Sequence, residues 1–391
     1  MPTINRFAAL HSEITEWRRD IHAHPELMFD VERTAGLVAE KLRGFGVDEV
    51  VTGLGRTGVV GIIKGRDTGS GRVIGLRADM DALPIVEATG VPYASQTPGK
   101  MHACGHDGHT AMLLGAAQYL AETRNFDGAV ALIFQPAEEG GGGGREMVED
   151  GMMDRFGIQE VYGMHNRPGL PVGQFLTRPG PIMASADEFE ITVDGVGGHA
   201  AYPHQCVDAT LIAAQIMLSL QTIVSRNVDP IQSAVVSVTQ MHAGEAFNVI
   251  PPTAVLRGTV RTLKPEIRNL AETRMDEVVT LTARALGGKA MLDYRRQYPV
   301  VVNDPARTEF AARIAAEVAG EGQVDADAPP VMGGEDFAFM LEARPGAFIF
   351  VGNGDTAPVH HPGFDFNDDA IPVGCSYWAR LVEAAMPRSD R

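Results

Sequence analysis

Leu10, Ile14, Trp17 and Ile21 recur at helical spacing, which predicts a helix over Phe7–His22. His24-Pro25 closes it, because the residue before a proline is driven out of the α region. A second helix is predicted over Val31–Phe45, with Gly46 as its stop. Short β-type runs follow at Gly58–Ile63 and Val73–Leu76, then an apolar helical run at Ala111–Leu120. Further strands are predicted at Ala129–Phe134, Val161–Met164 and Ala347–Val351, the second ending ahead of His165 and the third leading through a loop to His360. Between Pro181 and Tyr298 the texture changes: strand Glu188–Val193, helix Val207–Val224, strands Ser233–Gln240 and Ala254–Arg261, helix Glu266–Leu286, strand Ala290–Arg295. That βαββαβ order is the ferredoxin-like split unit, whose ends lie close together as an insertion requires. The first domain resumes with a helix at Pro305–Val318. The expectation is an α/β chain with one domain over 1–181 and 299–391 and an inserted α+β domain over 182–298.

Composition supports this division. A chain of 391 residues is longer than one core usually grows. The net charge of −17 argues against nucleic acid or an anionic membrane as partner. The sequence is also read as lacking an uncharged run of about 18 residues to span a bilayer. Three scattered cysteines, Cys104, Cys206 and Cys375, show no zinc-ribbon or redox spacing and suit a reducing compartment. Charges interrupt Met1–Arg19, so no secretory leader is read there, and the cytoplasm is the expected location.

Candidate chemistry concentrates in Met101–Thr110, which holds three histidines, Cys104 and Asp107 ahead of an apolar helix. A thiolate and an imidazole two positions apart reach common metal ions across an irregular turn, which Gly105 permits. Asp107 is read as the cap of the following helix, whose N-terminal end favours negative charge. Asp79 and Asp81, at the end of a β-run, are either partners of metal-bound imidazoles or a solvated turn before Pro84. Glu138 and Glu139 follow a buried strand, and extended geometry would aim them to opposite sides, one at metal and one at a proton. The run Gly140–Gly144 lacks the lysine of a phosphate cradle and reads as a pliable loop. Ligands of α/β sheets bind beyond the carboxyl ends of strands, so Cys104, His106, Glu139, His165 and either His360 or His361 form a coherent set.

Taken together the motifs resemble the amidohydrolase branch of the aminoacylase/carboxypeptidase metallopeptidases, which includes hippurate, N-acyl-amino-acid and auxin-conjugate hydrolases. The resemblance rests on Arg18–Leu27, Arg77–Pro84, Met101–Thr110, Gln135–Gly140, Gly163-Met164-His165, Gly197–His204, Asn248–Pro251, Gly333–Phe337 and His360-His361-Pro362, in that order along nearly the whole chain. It implies a metallopeptidase-type catalytic domain, a mixed sheet flanked by helices, with the insertion acting in dimerisation. It also implies two divalent ions, of zinc, manganese, nickel or cobalt, held by Cys104, His106, Glu139, His165 and His360. Glu138 is then the general base, and His199 donates to the oxyanion across a homodimer interface. Asn248 and Arg261 contact the substrate carboxylate, while Asp79 and Asp81 orient the ligands, and Glu335 and Asp336 either orient ligands too or cap the following helix. The expected reaction is hydrolysis of N-acyl amino acids by a metal-activated hydroxide. A carboxypeptidase or dipeptidase is the alternative, and a silent metal-binding protein a third reading, against which the intact Glu138 argues.

Overall fold

In the computed structural model, which describes residues 5–388, the first helix runs Asn5–Ala23 and buries Phe7, Leu10, Ile14, Trp17 and Ile21. The chain divides into two units. The first holds the described residues up to Ile182, with Val302–Pro329 and from Asp336 onward; the second holds Met183–Val301 and Pro330–Glu335. The sequence reading places all of 299–391 in the first domain. The short 330–335 piece goes with the second because Val331 bridges Met183 and accepts the N–H of Ala184.

The first unit is built on an eight-stranded mixed sheet in the order Glu49–Leu54, Gly58–Lys64, Ala129–Gln135, Val73–Asp79, Glu160–Arg167, Gly346–Gly352, Phe175–Leu176, Val324–Asp325. Its four middle strands, from Ala129–Gln135 to Gly346–Gly352, are parallel and almost wholly buried, so their carboxyl ends line up along one rim. The strand predicted at Val161–Met164 runs on through His165 to Arg167, because Phe350 and Gly352 of its neighbour continue the pairing.

The apolar helix starts at His106, five residues before the predicted Ala111, and runs to Thr123. Gly105, with φ 95°, is its N-cap, and a Cβ there would lie 2.2 Å from Asn166 Oδ1, so only glycine fits. Asp107 is thus inside the helix rather than capping it. Its buried carboxylate instead accepts from His22 Nδ1 (2.8 Å) and pairs with Arg18 (3.4 Å), both on the first helix. That helix, His106–Thr123 and the C-terminal helix Ile371–Ala385 pack together over the core. The glycine run is not all loop: Gly143 and Gly144 open the helix Gly143–Glu149.

The second unit is an antiparallel sheet in the order Ala234–Ala243, Thr253–Thr262, Ser185–Asp194, Lys289–Tyr298, backed by helices Ala209–Thr222 and Pro265–Ala285. This is the ferredoxin-like order. Along Ser185–Asp194 the buried positions alternate, Phe189, Ile191 and Val193 meeting the helices' Ile212, Ile216, Met275 and Val279. The stretch Ala209–Asn227 is long and apolar enough by composition to cross a membrane, which corrects the reading of no such run. Here its inner face packs on the sheet, and Asp208 caps its start.

His22 ties the first helix to the rim. Burial alone would push its imidazole down, but hydrogen bonds to Asp107 and Glu87 outweigh that and raise it from 6.5 to about 9. Its contribution to stability is therefore full below its ordinary value and lost as pH rises through about 9. In thermal melts the gap between the parent and His22→Asn should be widest near pH 6 and close towards about pH 10; a gap independent of pH would remove the charged pair as its source.

Candidate metal centre

At the end of the Ala129–Gln135 strand, Ala137 turns the chain with φ 53°, and its N–H donates to Met28 O (3.0 Å). Glu138 and Glu139 therefore sit in a turn and not on an extended strand, which replaces the expectation of opposite-facing side chains. Both their N–H groups point at one carboxylate: Glu138 N donates to Asp81 Oδ1 (3.0 Å) and Glu139 N to Oδ2 (3.1 Å). The Asp81 carbonyl accepts from His106 Nδ1 (2.8 Å). That bond places the ring proton on Nδ1 and turns Nε2 inward without a hydrogen-bond partner.

Around this nitrogen the strand ends converge. Cys104 Sγ lies 3.3 Å from His165 Nε2, whose ring donates through Nδ1 to Asn166 O (2.7 Å). Ligand atoms of Cys104, His106 and His165 lie within 4.8 Å of one another, as do those of Cys104, Glu139 and His360. Cys104 belongs to both triads, so one thiolate stands between two sets of donors. His106, Glu138 and Glu139 form a third such group. His360 reaches in because its N–H bonds Ala103 O (2.7 Å) and its backbone adopts φ 64°, bringing Nε2 to 3.2 Å from Glu139 Oε1. His361 instead accepts the Gly363 N–H in its own exposed turn (3.0 Å).

Burial and the neighbouring charges set the protonation of the donors. Burial, reinforced by Glu139, Glu138 and Asp79, holds the Cys104 thiol well above its usual range. Burial would lower His106, but Asp79, Asp81 and Glu139 overcome it and raise the imidazole to about 10. His165 is pushed down by burial and by the neighbouring His109. His106 Nε2 is buried with no hydrogen-bond partner, and Glu139 Oε1 meets His360 Nε2, at 3.2 Å. Soft thiolate, imidazole and carboxylate donors around an orphaned imidazole nitrogen fit divalent transition metals, which displace ligand protons on binding.

A second ring braces the first. Asp79 Oδ1 bonds His109 Nδ1 (2.6 Å), and its Oδ2 meets Arg77 (2.7 Å) and lies 3.6 Å from His106 Nε2. Arg77 also reaches Asp336 (3.0 Å) and Gln135 (2.9 Å), and Asp336 takes the Gly144 N–H at the start of its helix (2.8 Å). Asp81 thus grips His106, while Asp79 principally grips His109. The sequence reading assigns no role to His109, Arg77 or Gln135. For His109 a signal existed, since it stands one helical turn from His106 and shares its face. Glu335 is buried at the end of the 330–335 piece.

The remaining candidates lie in the second unit. His199 pairs with Val249 across two short strands, its exposed ring accepting the Ala201 N–H at Nδ1 (3.1 Å), so the neutral ring carries its proton on Nε2. Asn248 O accepts the Ala200 N–H (3.0 Å), which places Asn248 beside His199. Arg261 is half-buried on the Thr253–Thr262 strand; its guanidinium makes no hydrogen bond or ion pair among the described residues, and burial lowers its pKa. A Cβ on Gly334 would come within 3.0 Å of its Nη1.

Parallel strands that deliver thiol, imidazole and carboxylate donors to one carboxyl rim define an α/β protein with a centre of metal-ligating type. Comparison agrees: residues 75–384 match the model of peptidase family M20/M25/M40, and the chain belongs to that family. It is 42% identical to a hippurate hydrolase of Campylobacter jejuni, over 98% of this chain and 99% of the relative. An N-acetylcysteine deacetylase of Bacillus subtilis is also 42% identical, over 96% and 97%. A solved Bacillus subtilis structure, described as a dinuclear metal binding peptidase of the M20 family, superposes with TM-score 0.83 at 38% identity, covering 97% of this chain and 99% of that one.

Asp81→Asn turns an amide NH₂ towards a backbone N–H that the carboxylate now satisfies. Divalent-metal affinity is expected to fall about 10–100-fold, read by equilibrium dialysis with metal analysis; undiminished affinity would free Asp81 from this role.

Proposed function

We propose that this chain is a metal-dependent amidohydrolase that cleaves the amide of N-acyl amino acids to a carboxylic acid and a free amino acid. The observation that carries it is the pair of triads sharing Cys104, with Glu138 alongside and His106 Nε2 buried and unpartnered among them. Two divalent ions held by Cys104, His106, Glu139, His165 and His360 would lower the pKa of a bound water towards ~7 and polarise the amide carbonyl.

Glu138 takes a proton from the attacking water and delivers it to the leaving nitrogen, one carboxylate serving both transfers. Asp81 holds the Glu138 backbone, so the carboxylate starts from a fixed turn. His199 donates from Nε2 to the oxyanion, a role its Nδ1 bond favours by fixing the tautomer. Arg261 takes the substrate carboxylate in a bidentate grip, and Asn248, which neighbours His199, adds its contact from the same side of the dimer as His199; a half-buried guanidinium whose own side chain makes no hydrogen bond among the described residues suits an external anion. The same cation favours an acylated amino acid over a substrate recognised by its ammonium.

The reading includes a homodimer formed through the second unit. Leu211 (60% exposed), Leu218 (62%) and Ile231 (85%) leave an apolar surface beside the edge strand Ala234–Ala243. We place the protein in the cytoplasm, where its three free cysteines would stay reduced.

Glu138→Gln should keep near-parental metal content while kcat on N-benzoyl or N-acetyl amino acids drops by ~10²-fold or more; parental turnover would exclude it as the base. Mixed dimers of inactive Glu138→Gln and inactive His199→Ala chains should regain activity. Mixed dimers that form and stay inactive would refute a shared site.

A further inference from the structure

Among the described residues, five non-glycine residues have left-handed backbones, and two of them, Met28 (φ 54°) and Ala137 (φ 53°), are joined by the Ala137 N–H to Met28 O bond. A long side chain held in this region is uncommon and marks a position fixed by its surroundings. The surroundings here are specific. Ala82 N donates to Glu26 O (2.8 Å) and Leu27 bridges Ala82, which lays the Glu26–Phe29 stretch beside the loop that carries Asp81. The Glu26 carboxylate in turn accepts the N–H groups of Arg33 (3.0 Å) and Thr34 (2.8 Å), anchoring the stretch to the first turn of the next helix. Met28 is thereby pinned against both rim loops.

Its half-buried side chain runs along the turn just past the two glutamates. The Met28 methyl lies 3.9 Å from where a Cβ on Gly140 would be, and the Phe29 ring 3.0 Å from where one on Gly141 would be. The neighbouring cation, Arg56, stacks on Phe29 and is engaged by Glu146 through two hydrogen bonds, at 2.8 and 2.6 Å. What this wall offers is therefore apolar and, in Met28, deformable. An amino-acid carboxylate needs a cation; an acyl group needs such a wall.

We propose that Met28 is the residue that sets the size of the acyl group accepted by the centre, an assignment that rests on the amidohydrolase reading. The thioether closes the space over the Glu138–Gly140 turn, so short acyl groups fit beneath it and longer ones must displace it. A pocket wall of one flexible apolar side chain discriminates by roughly the tenfold to hundredfold that hydrophobic size selection usually gives.

The test uses Met28→Gly, which suits the left-handed backbone and so keeps the fold while opening the wall, and Met28→Asn, which also tolerates that backbone but places an amide there. Values of kcat/KM are measured on the metal-loaded full chain for N-acetyl-, N-hexanoyl- and N-benzoyl-alanine. A second series varies the amino acid under one acyl group. Met28→Gly should raise the hexanoyl-to-acetyl ratio about tenfold, Met28→Asn should lower it, and the amino-acid series should keep its order in both. Ratios within about twofold of the parent in both variants, or a shift confined to the amino-acid series, would overturn the assignment while leaving the amidohydrolase reading intact. A metal-loaded parent that cleaves none of these amides would overturn both.

Discussion

The arrangement depends on one buried carboxylate. Asp81 has no access to water, and an ionised carboxylate there is tenable only if its lone pairs are filled. The backbone N–H groups of Glu138 and Glu139 fill them, and hydrogen bonds to a charged acceptor contribute about 1.5–3 kcal/mol each. Burial still pushes Asp81 upward, with His106 the chief opposing influence. The need to satisfy one anion thus fixes the turn that carries two glutamates and, through the Asp81 carbonyl, the tautomer of a histidine. Base and ligand share one support.

Two buried ion networks extend that support into the scaffold. Arg77 links Asp79, Gln135 and Asp336, and Asp336 reaches the first turn of the Gly143–Glu149 helix. On the other side Arg18 and His22 hold Asp107, one residue from His106. Buried charges of this kind are weak devices for stability alone, since apolar side chains of the same volume often do as well. What they provide here is position: each removes a way for a loop at the sheet rim to relax.

The helices were legible because their apolar faces follow a period that burial enforces, as Leu10, Ile14 and Trp17 show. The ferredoxin-like order of the second unit was legible for the same reason, its strands alternating and its helices one-sided. The start of the helix at His106 was not, because polar residues fill its first turn. They belong there only because Asp79, Asp81, Asn166 and Arg18 wait around them, and none of these is near in sequence. The extent of the strand beyond Met164 was hidden likewise, since His165 and Asn166 are polar and their pairing partner lies far along the chain.

Sequence by itself determined the residue types and their order: two glutamates after a buried strand, a thiol and an imidazole around a glycine, and histidines beyond later strand ends. It also determined the class of chemistry those donors permit. Which donors meet was decided by the tertiary structure. His360 rather than His361 faces Glu139, Asp79 grips His109, and Met28 leans on the glutamate turn, because each depends on a backbone angle or a hydrogen bond from a segment remote in the chain. Local periodicity records which face a residue turns to the core. It carries no record of what stands opposite, and a polar side chain at a strand end takes its role from that partner.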